Sequence, residues 1–325
     1  MLASGRRPAA TRVRACVEPP QSPADRTWPL IARCAAAEAR FAARFARTRR
    51  RAIAYEFVRF GCKQAWACLF GGATVALIVA TYLWYPVGAT LARYDALFLA
   101  ALALQALLLA MRMETPDEAK VILVYHAIGT AMEVFKTGVG SWTYPEEAIF
   151  RIGGVPLFSG FMYAAIGSYI ARCWRLFDFR FTHHPKPWAV AALAFAIYAN
   201  FYTHHRWIDL RVALFAATAW LFARTEVHYR VWRAHRRMPL LLGFALVASF
   251  IWIAENLGTL THTWTYPHQA HGWALVRLGK LGSWFLLLIV SYALVAMVNR
   301  PRPYAASRQR HARPLQVRYV NNSAM

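Results

Sequence analysis

Two glutamates stand at the same distance from the same aromatic motif. The tetrapeptide Trp-Thr-Tyr-Pro begins nine residues after Glu133 and nine residues after Glu255. A carboxylic acid kept neutral in an apolar cavity can protonate a polyene or a similar lipid-like substrate, and aromatic faces can steady the resulting cation. The pattern predicts an acid–base site with both glutamates as catalytic groups. Its substrate-binding aromatic residues are Trp142, Tyr144, Trp264 and Tyr266.

The chain around the first glutamate fits one face of a helix. His126, Thr130, Glu133 and Thr137 follow one another at intervals of three or four residues, which places them on one stripe. A carboxylate at the centre of a bilayer costs roughly 2.5–3.5 kcal/mol on insertion scales, so the stripe must face protein or water. We expect His126, about 10 Å deeper than Glu133, to act as a catalytic proton reservoir. Ala248 takes its place in the second copy, which predicts an asymmetric site.

A second polar group follows the fifth apolar segment. Asn200, Asp209 and Arg211 are predicted to bind substrate at the extracytoplasmic mouth of the site. His204 and His205 lie between them, and imidazole together with a carboxylate suits zinc or iron. A metal at this mouth is therefore one hypothesis, although no motif in the chain implies a cofactor.

Both features also have structural interpretations. The glutamates could form buried ion pairs with Lys136, Arg211 or Lys280 that fix helix packing. The tetrapeptides could be anchors at the membrane interface, where Trp and Tyr are enriched. The constant spacing between glutamate and tetrapeptide favours instead a re-entrant loop that closes over a pocket.

The composition indicates a membrane protein. Hydrophobic residues make up 58% of the 325 residues and charged residues 16%, against roughly 45–50% and 25% in soluble domains. This excludes a soluble enzyme, a disordered chain and a coiled coil. The five cysteines form no CxxC motif, so neither a disulfide scaffold nor a zinc knuckle is implied.

Eight apolar segments approach the length of about 20 residues that a membrane crossing requires. They are 64–85, 94–111, 119–136, 155–171, 188–203, 207–223, 238–256 and 279–299. We predict an all-α polytopic membrane protein with eight transmembrane helices. The predicted regions are a basic, largely disordered leader over 1–54 with an interfacial helix over 31–51, a membrane domain over 55–299 and a basic tail over 300–325.

The basic residues set the predicted orientation. Lysine and arginine outnumber aspartate and glutamate by 38 to 15, and their place between apolar segments indicates a lipid bilayer rather than nucleic acid as the partner. Of these basic residues, 31 lie in one set of alternating connections and 5 in the other. Since positive residues are retained on the cytoplasmic side, both termini are predicted to be cytoplasmic.

The spacing of the two glutamates belongs to an internal repeat. An offset of 122 residues carries the first, third and fourth apolar segments onto the fifth, seventh and eighth, and the second onto the sixth after a deletion. The predicted repeats cover about 64–172 and 188–299. Because each holds an even number of crossings, both enter the membrane in the same direction, and a cavity is expected between them.

Several motifs of this chain occur in the order found in one family. They lie at 126–136, 140–146, 154–163, 200–211 and 252–256. The chain resembles, over about 55–299, the YoaT-like bacterial integral membrane proteins known as domain of unknown function 817. The resemblance implies a multi-pass protein of the bacterial inner membrane with no established activity. A shorter likeness, over Glu133, 142–145 and Pro156, is to carotenoid-modifying membrane proteins of the cyclase and hydratase type.

Three functions follow as hypotheses. The first is an intramembrane acid–base enzyme that acts on an isoprenoid or another hydrophobic small molecule. The second is a proton-coupled transporter or channel for a small solute or cation, which needs polar groups along its whole path. The third is a scaffold without catalysis. The apolar sequence Val-Ile-Leu-Val at 121–124 interrupts such a path and favours the enzyme.

Overall fold

The computed structural model describes residues 37–38, 40–42, 44–46, 48–111 and 113–304. Most of the predicted leader and tail lies outside these residues, and so does the beginning of the helix predicted over 31–51. The chain forms two compact units, Met1–Tyr55 and Glu56–Met325. All residues of the candidate site belong to the second unit.

Helices dominate the described residues, and each of the eight predicted apolar segments overlaps at least one. The helices are α1 (Arg49–Ala67), α2 (Leu69–Trp84), α3 (Arg93–Ala110), α4 (Pro116–Gly138), α5 (Phe158–Phe177), α6 (Pro187–Thr203), α7 (Arg211–Phe222), α8 (Leu240–Leu260) and α9 (Gly279–Asn299). A short 3₁₀ helix covers Pro267–Gln269. The last predicted segment, 279–299, coincides with α9.

Three of these helices are long and apolar enough to cross a membrane: α3, α8 and α9. Helices α1 and α2 meet at a bend of 68° beside Cys68, and together they pass the same test as a broken span or a re-entrant segment. Helix α7 has only 12 residues, which gives it a length of about 18 Å. The described structure is therefore a mostly helical protein with three or four helices capable of spanning a bilayer.

The prediction of an all-α chain needs one correction, because two small sheets are present. Strands β3 (Arg180–Thr182), β4 (Glu226–Arg230) and β5 (His235–Pro239) form an antiparallel sheet in the order β3-β4-β5. The sheet joins the connection before α6 to the connection between α7 and α8. Hydropathy could not identify it, because its strands carry many charged side chains and β3 pairs with a strand that lies beyond α6 and α7.

The second sheet is a hairpin of β1 (Arg151–Ile152) and β2 (Val155–Pro156). Gly153 and Gly154 form its turn with φ values of 56° and 82°, the conformation that a two-residue type I′ turn requires at both central positions. Pro156, the second residue of the predicted helical segment 155–171, therefore lies in a strand and not in a helix. Helix α5 begins two residues later.

Helices α4 and α5 pack closely because glycines line their contact. A Cβ atom at Gly129 would lie 2.7 Å from Cβ of Tyr163, and one at Gly160 would overlap Thr130 and His126. Small residues let two backbones approach in this way. The close approach brings the Tyr163 side chain beside Glu133.

Candidate functional site

The structure contains a large, mainly apolar cavity of about 1120 Å³. Most of the predicted site residues line it: Glu133, Trp142, Tyr144, Asn200, His204, His205, Arg211, Glu255, Trp264 and Tyr266. His126 and Asp209 are not among the lining residues. The two halves of the predicted repeat therefore contribute equivalent residues to one cavity.

The two Trp-Thr-Tyr-Pro segments pair with each other. The amide of Thr143 donates to the carbonyl oxygen of Thr265 at 3.0 Å, and the amide of Thr265 donates back at 2.9 Å. This is an isolated antiparallel bridge. The ring of Trp142 meets the ring of Tyr266 edge to face, with centroids 5.9 Å apart. The segments thus form one covering structure rather than two separate anchors.

Glu133 is surrounded by hydrogen-bond donors. Its carboxylate accepts from Trp142 Nε1, from the Tyr144 hydroxyl and from the Tyr163 hydroxyl, each at 2.7 Å. The side chain is only 3% exposed. Three donors, two from the tetrapeptide and one from α5, occupy both carboxylate oxygens, so neither oxygen is left unpaired in this buried position.

Glu255 has a similar but smaller set of donors. It accepts from the hydroxyl of Tyr266, which follows it by eleven residues just as Tyr144 follows Glu133, and from Trp284 Nε1. The tryptophan donors are not equivalent, because Trp142 of the tetrapeptide donates to Glu133 whereas Trp284 of α9 donates to Glu255. Trp264 packs instead against Gly258, where a Cβ atom would overlap its indole ring. The site is therefore pseudo-symmetric in its tyrosines and asymmetric in its tryptophans.

Lys280 lies between the two halves of the site. Its Nζ atom is 4.3 Å from the ring centroid of Trp142 and 4.4 Å from that of Tyr266. This geometry is a double cation–π contact. Two of the aromatic faces predicted to steady a substrate cation are thus occupied by the protein's own ammonium group.

A second polar group surrounds Lys136, at the end of α4. Its Nζ atom is 2.7 Å from His205 Nε2 and 3.5 Å from His204 Nε2. Partial burial and the neighbouring Lys136 lower the pKa of His205. Nearby, Arg211 forms an ion pair with Asp209 and also donates to it from Nε.

The described geometry does not favour the metal hypothesis. No group of three His, Cys, Asp or Glu side chains able to hold a metal occurs among the described residues. The Nε2 atom of His205, which could have bound a metal, faces the Lys136 ammonium. Because Lys136 already contacts the Nε2 atoms of both rings, we assign the two histidines to Lys136.

His126 is separate from this arrangement. Its ring packs against Phe161 with centroids 4.4 Å apart, and its buried Nδ1 atom lacks a hydrogen-bond partner among the described residues. No contact with Glu133 links the two side chains in the described geometry. The predicted role as a proton reservoir for Glu133 gains no support from this position.

Four residues that the sequence did not assign to the site complete it: Lys136, Tyr163, Lys280 and Trp284. The sequence predicts the two lysines only as structural ion-pair partners. Tyr163 lies in the family motif 154–163, which was its one available signal. Trp284 stands near the start of an apolar segment, where aromatic residues are common, and nothing in the sequence distinguishes it.

Comparison with known proteins gives the family. The family model described as "Protein of unknown function (DUF817)" matches residues 56–292. The uncharacterized protein YoaT of Bacillus subtilis (strain 168) is 45% identical over 245 residues, which cover 75% of this chain and 92% of YoaT. These relatives give no support to the likeness with carotenoid-modifying proteins.

Among solved structures, a cross-linked trimer of an MvINS variant is similar, with a TM-score of 0.41 and 14% identity, over 59% of this chain and 98% of that one. The match to the family model and the alignment with YoaT each cover most of the chain. On these two grounds, the chain belongs to the DUF817 family of proteins of unknown function.

Proposed function

We propose that the protein binds a lipid-like molecule in its cavity and acts on it by acid–base chemistry at Glu133 and Glu255. The observation that carries the proposal is the presence of two buried carboxyl groups, from equivalent places in the predicted repeats, in the wall of one large apolar cavity. Buried carboxylates are costly in an apolar setting and are retained mainly where they are paired or used. An apolar wall with a few convergent polar groups is typical of a small-molecule site.

The proposed membrane arrangement has eight crossings in two parallel repeats. The helices found in all eight predicted segments and the bridge between Thr143 and Thr265 support it. Both termini lie in the cytoplasm of a bacterial cell, and the site lies toward the extracytoplasmic face of the inner membrane. The excess of basic residues in alternate connections supports this orientation.

The two carboxyl groups differ in their surroundings, which suggests their roles. Glu133 accepts three hydrogen bonds and Glu255 accepts two. A carboxylate with more donors is better held as an anion, and unequal environments separate an acid from a base. We assign the base to Glu133 and the acid to Glu255. Lys280 lies near both and balances the negative charge.

Glutamine substitutions test the proposal. Glu133→Gln and Glu255→Gln keep the shape of each side chain but remove its acid–base chemistry. The lipids of cells producing each variant are compared by mass spectrometry with those of cells producing the wild-type protein. We expect the wild type to change the abundance of at least one apolar species, and both variants to abolish that change at equal membrane levels.

Glu146→Gln is the matched control. Glu146 forms an ion pair with Arg93 at 2.5 Å and does not line the cavity, so this variant should retain the wild-type lipid changes. If Glu133→Gln and Glu255→Gln also retain them, neither carboxyl group is catalytic and the proposal fails.

The transporter hypothesis has less support from the cavity. A proton or cation path needs polar groups along its length, whereas the wall near α2 and α8 consists largely of apolar side chains. They include Val75, Ile78, Leu246, Val247, Phe250 and Ile251. This wall suits the chain of a lipid better than a hydrated ion.

A further inference from the structure

Lys136 is a buried lysine without an acidic partner among the described residues. It lines the cavity and is only 4% exposed. Its Nζ atom contacts the imidazoles of His204 and His205 and lies 4.1 Å from the ring centroid of Phe201. No carboxylate in the described part of the chain forms an ion pair with it. A buried ammonium group ordinarily has an anion beside it, because its charge is otherwise uncompensated.

The two imidazoles do not supply that anion. His204 Nδ1 lies 2.8 Å from the carbonyl oxygen of Asn200, which can only accept a hydrogen bond, so Nδ1 carries the proton. The Nε2 atom that faces Lys136 is then an acceptor. Partial burial is the main cause that lowers the pKa of both histidines, and the Lys136 cation adds to it. Because an ammonium group can only donate, the Nε2 atoms that face it in both rings accept from it and orient it.

The neighbouring acidic residues are already engaged. Asp209 pairs with Arg211 at 2.5 Å, and Glu133 is bonded to three donors on its own side of the cavity. Glu255 is bonded to two donors and lies near Lys280. The charge of Lys136 is thus free to attract an anion from inside the cavity.

We propose that Lys136, oriented by His204 and His205, binds the acidic head of an amphiphile whose apolar chain lies along the wall of the cavity. The head is a carboxylate or a phosphate, because both accept hydrogen bonds from an ammonium group. This inference rests on the proposed function, since it names the chemical class of the molecule in the same cavity. It adds a recognition residue that is distinct from the two catalytic carboxyl groups.

Binding of matched amphiphiles tests this assignment. The purified full chain in a neutral detergent is loaded with a fluorescent fatty acid, which is then displaced by palmitate, hexadecyl phosphate or hexadecanol. These probes share one chain length and differ only in the head. We expect the wild type to bind at least one acidic probe about 10-fold more tightly than hexadecanol, a difference that corresponds to about 1.4 kcal/mol. Preference for palmitate or for hexadecyl phosphate distinguishes a carboxylate from a phosphate head.

Substitutions at Lys136 locate the effect. Lys136→Gln should remove the preference for the acidic head, and Lys136→Arg should keep it, because guanidinium also binds carboxylate and phosphate. Lys186→Gln is the control, since Lys186 is exposed and precedes α6. Thermal unfolding confirms that each variant is folded, and the comparison of heads in the wild type needs no variant at all.

The outcomes separate the two proposals. Equal binding of palmitate, hexadecyl phosphate and hexadecanol by the wild type would overturn the inference about Lys136 but leave a lipid-binding cavity. Unchanged head preference in Lys136→Gln would overturn it as well. Failure of the wild type to bind the fluorescent fatty acid or any of the three probes would remove the basis of both proposals.

Discussion

The position of Lys280 changes how the aromatic residues of the site are understood. Trp142 and Tyr266 present their faces to its ammonium group, so these faces stabilise a protein cation before any substrate arrives. The same lysine lies near both buried glutamates. One side chain of the second half therefore links the two halves of the site electrostatically.

A glycine next to the aromatic cluster gives a prediction about stability. Alanine at Gly258 would overlap the indole of Trp264, and overpacking of this kind typically costs about 1–3 kcal/mol. We expect Gly258→Ala to lower the thermal unfolding temperature of the protein in detergent. Gly72→Ala is the control, because a Cβ atom there meets nothing within 4 Å, and alanine in a helix should raise stability by roughly 0.5–1 kcal/mol. An unchanged unfolding temperature for Gly258→Ala would contradict the packing of Trp264.

The two histidines beside Lys136 give a prediction about pH. Their pKa values are lowered from 6.5 in the folded protein, so the unfolded chain binds protons more readily. Stability should therefore be fully present above about pH 6.5 and decrease as the pH falls below it. Unfolding temperatures measured between pH 8 and pH 5 should show a shallower decrease for His205→Asn than for the wild type. His183→Asn, at an exposed position, should follow the wild type, and equal slopes for all three would refute the prediction.

Close pairs of elements build the site. Helices α4 and α5 approach through glycines and bring Tyr163 to Glu133. The two aromatic tetrapeptides meet through backbone hydrogen bonds at Thr143 and Thr265. Because the backbone makes this second contact, it does not depend on the type of side chain at those positions. The two halves of the chain are thereby held together directly beside the carboxylates.

Paired cysteines test that contact between the tetrapeptides. Residues that exchange two hydrogen bonds in an antiparallel pair have Cα atoms about 5.5 Å apart, within the range of roughly 4.4–6.8 Å for disulfides. In a chain whose five cysteines are replaced by serine, Thr143→Cys combined with Thr265→Cys should form an intramolecular disulfide on mild oxidation. Loss of thiol labelling measures it, and each single substitution should remain labelled. A double variant that also remains labelled would show that the segments do not meet.

Charge and hydropathy organise the whole molecule. The net charge of +23 is distributed unevenly among the connections between the apolar segments. The sheet formed by β3, β4 and β5 joins two of the basic connections, which the proposed orientation places in the cytoplasm. In the proposed orientation, the sheet lies on one side of the membrane and the aromatic tetrapeptides lie on the other side.

Thiol labelling in cells tests the proposed orientation. In a chain without its natural cysteines, Val87→Cys lies in the exposed connection between α2 and α3, and Arg233→Cys lies between β4 and β5. A reagent that does not cross the membrane should label the first in intact spheroplasts and the second only after the membrane is opened. The reverse result would invert the proposed topology, and labelling of both in intact spheroplasts would contradict it.

The sequence by itself determined the family, the helical segments and the central polar and aromatic residues of the cavity. Composition and periodicity are local properties, and the spacing of Glu133 and Glu255 from their tetrapeptides survives in both halves. Equivalent residues of the predicted repeat are expected to lie in equivalent places, and the three pairs formed by its glutamates, tryptophans and tyrosines line one cavity.

Only the tertiary structure decided which side chains these residues contact. Lys280 is more than 100 residues from Trp142, Lys136 is 69 residues from His205, and the larger sheet combines strands from two separate connections. Such contacts depend on how helices pack and on which backbone groups remain unpaired, and neither leaves a periodic signal in the chain. For the same reason, His126 lies outside the cavity although its spacing from Glu133 places both residues on one face of a helix.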